Sequence, residues 1–203
     1  MPPSLRTLLL SHAFALACCG ASAGVAEGDF LGYRLGSKYP ITQETRGYFM
    51  GVTGSMVIMA ERPEMPPEFV RVELIASPKT YTIINIFGVA EFAAEAAAKD
   101  FARQYAELLN GLHRDKCRPM KAFLDETLKL LCSLKYELSV SAYAPDKSDE
   151  KHKVHIGLRV DNDSTLGKRM VAQFRQELTQ VERDAETHRL EKARSEKKLK
   201  GIQ

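Results

Sequence analysis

No stretch of this chain stays apolar for the ~20 residues that a membrane-crossing helix needs; the run Leu8–Cys18 gives out before Gly20. Internal repeats and low-complexity segments are absent too, which excludes a solenoid or an unstructured linker as the main architecture. There is no G-x-S-x-G, no zinc-protease helix and no cysteine–histidine pair with a free thiol, so no motif announces a reaction. Acid pairs such as Asp125/Glu126 and Glu182/Asp184 sit among compensating charges and read as solvated surface. Catalytic groups can converge from distant segments, so a small secreted or periplasmic hydrolase without a visible motif stays open as the alternative.

Charge of one sign is missing from the body as well. The formal charge of +3 is concentrated in residues 183–203, which carry seven Lys/Arg and four Asp/Glu. With Arg6 set aside, the remaining body sums to −1. A nucleic-acid binder carries a basic footprint across its domain, so nucleic acid is not the expected partner.

What is present begins with an address. Arg6 supplies a positive start, Leu8–Cys18 an apolar centre and Ala21-Ser22-Ala23 a small-residue cut, the three parts of a secretory signal. Gly24-Val25-Ala26 offers a second cut, leaving a chain that starts at Glu27. Ala15-Leu16-Ala17-Cys18 resembles the bacterial lipoprotein signal, with its leucine one place late. That resemblance implies a lipidated Cys18 and a membrane anchor; plain cleavage discards Cys18 and Cys19. Either way the expected location is exported, periplasmic or secreted.

Export changes how the two remaining cysteines read. In an oxidising compartment the isolated pair Cys117 and Cys132 is expected to form a disulfide, with buried free thiols as the alternative. The segment between them, "RPMKAFLDETLKLL", reads as a helix opened by Pro119. A straight 14-residue helix would span ~21 Å, whereas a bridge needs Cα atoms within ~7 Å. The bridge therefore demands a bend or a broken helix near Phe123–Asp125.

The rest of the body reads as one α+β domain over 27–185, followed by a basic tail over 186–203 that projects or frays. Strands are expected between Phe30 and Phe87, with a hairpin at Thr53-Gly54 and a loop at Pro63, Pro66 and Pro67. "FVRVELIAS" sets Val70, Val72 and Leu74 against Arg71 and Glu73, and "TYTIINIF" is apolar on both faces, as a central strand is. Residues 89–113 are helical, with Ala97, Phe101, Tyr105, Leu108 and Leu112 on one face and alanines at 93, 94 and 96–98 for close packing. "LKYELSVSAY" and "KVHIGLRV" turn Leu134, Tyr136, Leu138, Val140, Ala142, Val154, Ile156, Leu158 and Val160 inward. A last helix follows "DNDS", with Met170, Phe174, Leu178, Val181 and Ala185 as its apolar stripe. The expected fold is an antiparallel β-sheet covered on one face by helices, in the order β-β-β-β-α-α-β-β-α, with a long charged C-terminal helix.

Candidate sites are few. His152 and His155 are three apart in a strand and face opposite ways, and His113 and His188 have no ligand neighbours at metal spacing, so neither metal nor cofactor is expected. His113 sits near a helix end, where the dipole favours its charge. Asp161-Asn162-Asp163 starts like a calcium loop, but its glycine is displaced to 167 and Ala172 takes the place of the closing Glu; an N-cap at Asp163 or Ser164 is simpler. Gly51 and Gly54 carry no phosphate-loop lysine. The uncovered sheet face would show Lys135, Glu137, Ser139, Ser141, Tyr143, Lys153, His155 and Arg159, either wet or held by a partner. Arg189, Lys192, Lys197, Lys198 and Lys200 would meet anionic lipid or an acidic partner, as an auxiliary contact with peripheral membrane association. The expected function is non-catalytic binding of a protein or cell-envelope component, as an inhibitor, immunity or assembly accessory factor, through the polar sheet face or an exposed sheet edge.

Overall fold

The computed structural model describes residues 25–43, 45–50, 55–60, 68–121, 126–145 and 151–200, with the backbone alone at 26, 46, 49, 50, 126 and 193–200. Residues 1–24 with Cys18, the turn at 51–54 and the proline loop at 61–67 lie outside the described residues, whereas Val25, which a cut after Ala26 would remove, is described and buried in the core.

A 3-10 turn, Val25–Glu27, leads into a small hairpin of β1 (Asp29–Phe30) and β2 (Tyr33–Arg34). Then come β3 (Arg46–Met50), β4 (Ser55–Ala60), β5 (Phe69–Ala76), β6 (Ile83–Phe92), helix α1 (Glu95–Leu112), β7 (Cys117–Pro119), β8 (Glu126–Cys132), β9 (Tyr136–Tyr143), β10 (His152–Val160) and helix α2 (Thr165–Lys200). Strands β3 to β10 form one antiparallel sheet of eight, in the order β3-β4-β5-β6-β10-β9-β8-β7. The protein is thus α+β, with a large antiparallel sheet and two helices among the described residues.

The expected second helix is replaced by a hairpin. Residues 117–119 and 126–132 are strands, paired with Cys117 opposite Cys132. Leu128 and Leu130 face the core at period two, half-buried and buried, and cross-strand pairing with β9 decides against the helix that the leucines and lysines also allow. The pairing also removes the distance problem, because opposite residues need no helix to bend. The Cα atoms are 4.1 Å apart and the sulfurs are bonded.

Two smaller expectations shift by one position. Helix α1 buries Ala98, Phe101, Ala102, Tyr105, Ala106 and Leu109, so its contact stripe includes small residues, while Ala97 and Leu112 are exposed. Close approach to β6, β8, β9 and β10 rests on Ala98, Ala102 and Ala106, since Ala93, Ala94, Ala96 and Ala97 are exposed. In β5 a bulge between Phe69 and Arg71 turns Val70 out, 52% exposed, and puts Phe69 in the core.

On that core face, Ile58, Val72, Leu74, Ile86, Leu138, Val140, Ile156 and Leu158 are fully buried. Phe69 and Phe101 cross edge-on at 6.4 Å between α1 and the sheet. Gly88 makes room for this packing: a Cβ there would lie 2.7 Å from the Phe69 ring and 2.9 Å from Leu31. The N-terminal segment crosses the start of β6, with Gly36 N donating to Ile83 O at 2.8 Å and Ile83 N donating to Ser37 O at 2.9 Å.

Helix α2 starts where β10 ends. Ser164 Oγ accepts from the Gly167 N–H at 2.9 Å, the cap expected of it. Met170 is buried in the core, while Phe174, Leu178 and Val181 are half-buried and Ala185 is exposed. From Glu182 to Lys192 the helix is exposed throughout. No helix among the described residues is long and apolar enough to cross a membrane.

Candidate functional site

The two outer strands of the sheet differ in what they offer. At β7, Met120 N donates to Lys129 O at 2.8 Å, so residue 120 points toward β8 and, by alternation, Cys117 and Pro119 point outward. The Cys117 N–H is already donated to His113 O at 2.9 Å. Pro119 has no N–H at all. Neither outward position can donate to an incoming strand, and the disulfide fastens β7 to β8 behind them. A three-residue, proline-bearing edge is a blocked edge.

At β3 the opposite holds. Five residues, "RGYFM", pair with β4 on one side only, and no strand lies beyond them among the described residues. The strand has no proline, and Tyr48 stands 49% exposed. Met59, on β4 opposite Arg46, is exposed as well. An uncovered edge of this kind carries free backbone donors and acceptors that another strand can use.

Across the second face of the sheet, register builds rows from distant sequence. Glu73, Phe87, Gly157, Ser139 and Lys129 form one row; Arg71, Val89, His155 and Ser141 form the next; Asn85, Arg159, Glu137 and Leu131 form a third. Of the residues expected here, Glu137, Ser139, Ser141, Tyr143, Lys153, His155 and Arg159 are on these strands. Lys135 is not: it lies exposed in the β8–β9 turn, one residue before β9 begins.

This face is far from wet. Glu137 and Ser141 are buried, and Ser139, Lys153, His155 and Arg159 are half-buried. Ion pairs lay the long side chains across the strands. Arg71 donates to Glu73 at 2.7 Å and to Glu91 at 2.5 Å, and Lys151 reaches Glu91 at 3.0 Å. Glu137 accepts from Arg159 at 2.7 Å and has Lys129 at 3.4 Å. The hydrogen bonds from Arg71 and Lys151 hold Glu91 below the usual carboxylate range. A general acid at neutral pH needs the reverse shift.

Between these two clusters lie rings. His155 has Tyr143 at 4.8 Å and Phe87 at 5.8 Å between centroids. The Phe87 ring covers Gly157, where any Cβ would collide with it. Burial pushes the His155 imidazole pKa down, with Arg71 and Lys153 acting the same way against Glu73. The neutral ring is then an apolar neighbour for the two aromatics. At the other helix end, His113 is buried, and burial followed by Lys116 lowers its pKa. The dipole-favoured charge expected there gives way to desolvation.

Among the described residues no group of three or more His, Cys, Asp or Glu is placed to hold a metal ion. In the tail, Arg189 and Lys192 are exposed on α2, and Lys197, Lys198 and Lys200 continue its backbone. Two features escaped the sequence reading. Glu177 is buried on the inner side of α2, and its signal was an acid set inside the apolar stripe of Phe174, Leu178 and Val181. The open edge at β3 left no signal, because pairing on one side and two sides looks alike in sequence.

No protein-family model matches the chain, and no curated protein or solved structure is similar to it.

Proposed function

We propose that this is an exported, non-catalytic binding protein that recognises a protein of the cell envelope by adding a partner strand to β3. The carrying observation is the contrast between the edges: both outward donor positions of β7 are closed, and β3 is left without a neighbouring strand among the described residues. Strand addition uses backbone hydrogen bonds and pockets for alternate side chains, so it needs no catalytic or metal motif. Inhibitor, immunity and assembly accessory roles are each compatible with this mode of recognition.

Export is supported by the front end of the chain and by the Cys117–Cys132 disulfide, a bond that oxidising compartments maintain. Under this reading the signal is removed after Ala23, the cut that keeps the buried Val25 in the binding domain, or after Ala26, or Cys18 becomes a lipid anchor, with the domain running to residue 185. The basic tail over 186–203 is an auxiliary contact. The hydrolase alternative gains nothing from the face carboxylates, which are held by cations.

A pair of proline variants tests the edge. Consecutive N–H groups of a strand point to opposite sides, so Tyr48→Pro and Phe49→Pro remove one donor toward β4 and one toward the open side, without the Cβ that at Gly47 would lie 2.8 Å from Val57 O. The variant that loses the outward donor is expected to keep the parent thermal midpoint and fail to recover the partner from envelope extract. Its neighbour loses a sheet hydrogen bond and melts several degrees lower. Retention of the partner by both variants would contradict strand addition.

A further inference from the structure

Two peptide bonds near the front of the chain satisfy one sequence rule. A signal-cleaving protease needs small side chains at the first and third positions before its cut. Ala23 and Ala21 meet that need for the bond Ala23–Gly24, and Ala26 and Gly24 meet it for the bond Ala26–Glu27. The rule alone does not choose. The fold does, because Val25 lies between the two bonds and is a core residue.

Val25 is 1% exposed and packs in the main hydrophobic cluster. It opens the 3-10 turn Val25–Glu27, and its carbonyl accepts from the Gly28 N–H at 3.2 Å. Gly28 is buried at a φ of 87°, where glycine alone is at ease, and a Cβ there would lie 2.9 Å from the Tyr136 ring. The Gly28 carbonyl accepts in turn from Leu35 N at 2.9 Å. The turn is thus seated against β9 and tied to the residue that follows β2. A cut after Ala26 takes the Val25 side chain out of the core and removes the acceptor of a buried N–H. A cut after Ala23 leaves both in place.

We propose that the chain is processed at the Ala23–Gly24 bond, so that the mature protein begins at Gly24 with Val25 as its first core residue. This rests on the export reading above and selects one of the products it allows. Hydrolysis adds one water across the bond: Ala23 leaves on the signal with a new carboxylate, and Gly24 keeps a new α-amino group. The protease meets the chain before it folds, so burial shields neither bond at that moment, and the difference lies in the product. After the first cut the apolar centre Leu8–Cys18 is gone, and Ala26–Glu27 is no longer presented beside it. Once the chain has folded, that second bond lies in a turn that has to open before a protease can enter. One defined N-terminus follows, without trimming to Glu27. A cut before Cys18 would also retain Val25, but there the leucine is one place late, whereas Ala21 and Ala23 fit as they stand.

The test reads the N-terminus of the full protein recovered from the producing cell, by intact mass and by sequencing from the amino end. The expected start is Gly24. Ala23→Asp, which puts a charge just before the cut, should abolish that start and leave the precursor or a chain from Glu27. In the processed protein, Val25→Ala should lower the thermal midpoint by about 4–8 °C with the N-terminus unchanged. Partner capture at β3 is read separately and plays no part in these outcomes. A start at Glu27 or at a lipidated Cys18, a Gly24 start that persists in Ala23→Asp, or a Val25→Ala midpoint equal to the parent's would each overturn the proposal and leave export standing. Retention of Met1 would overturn both.

Discussion

Opening the Cys117–Cys132 disulfide lowers the stability of the protein by about 3 kcal/mol, the entropy of a loop of this length in the unfolded chain. For a domain of this size that is about 6–12 °C in thermal midpoint. The local structure has little else to hold β7. The strand has three residues and pairs with β8 alone, through register positions 117, 118 and 119. Cys132 is fully buried, so its replacement also leaves a small cavity. Loss of β7 would uncover β8, a strand of seven residues, as a second open edge. Thermal melts with and without reductant, and of the Cys117→Ala, Cys132→Ala pair, check this; a change under 1–2 °C would show the staple to be idle. Reduced protein should also associate with itself more readily than oxidised protein.

Replacing Glu177 with alanine is the second large effect, at about 3 kcal/mol, because four partly buried donor groups lose one charged acceptor together. The carboxylate accepts from Lys79 N at 3.1 Å, Thr80 N at 3.0 Å, Thr80 Oγ1 at 2.6 Å and Gln173 Nε2 at 3.0 Å. Burial alone would raise its pKa, but these bonds from Thr80 and Gln173, with one from Ser77, outweigh burial and bring it down to about 2. Glu177 therefore stabilises the fold fully above the unfolded value of 4.5, and this contribution is lost as pH falls from there toward 2. His113 and His155 act earlier in the acid range. Burial lowers both below 6.5, so the unfolded chain binds protons first and stability declines once pH drops below that value. Melts between pH 7 and pH 3 should show a shallow limb and then a steep one. In Glu177→Gln, which removes the titration and keeps one acceptor, the steep limb flattens; parallel profiles for parent and variant would contradict the assignment.

Much of this architecture could be read from the residues, and the failures have physical causes. Alternation identified the strands of β9 and β10 because each has one apolar face, and the cysteine pair was read correctly from compartment and count. The helix expected over 118–131 failed because Leu128, Lys129, Leu130 and Leu131 suit either period, and pairing with β9 chose between them. The 21 Å against 7 Å conflict was itself the deciding clue, since a hairpin meets it without distortion. Leu134 reads as strand in the sequence because its turn contains neither glycine nor asparagine, the usual marks of a two-residue loop. The candidate site was less legible. Arg71 meets Glu91 from 20 positions away and Glu177 meets the Ser77–Thr82 turn from nearly a hundred, contacts that arise only once the register and the path of α2 are set. Charges that looked like a solvated face prove to be paired and folded flat, which moves attention from the face to the edge.

The account rests most heavily on β3 as the recognition edge. A photo-reactive phenylalanine analogue placed at Tyr48, and a second at Arg118 on the opposite edge, would read this in the producing cell. The account predicts one discrete cross-linked protein from position 48 and none from position 118. A cross-link of equal yield from position 118, or none from position 48, would contradict it.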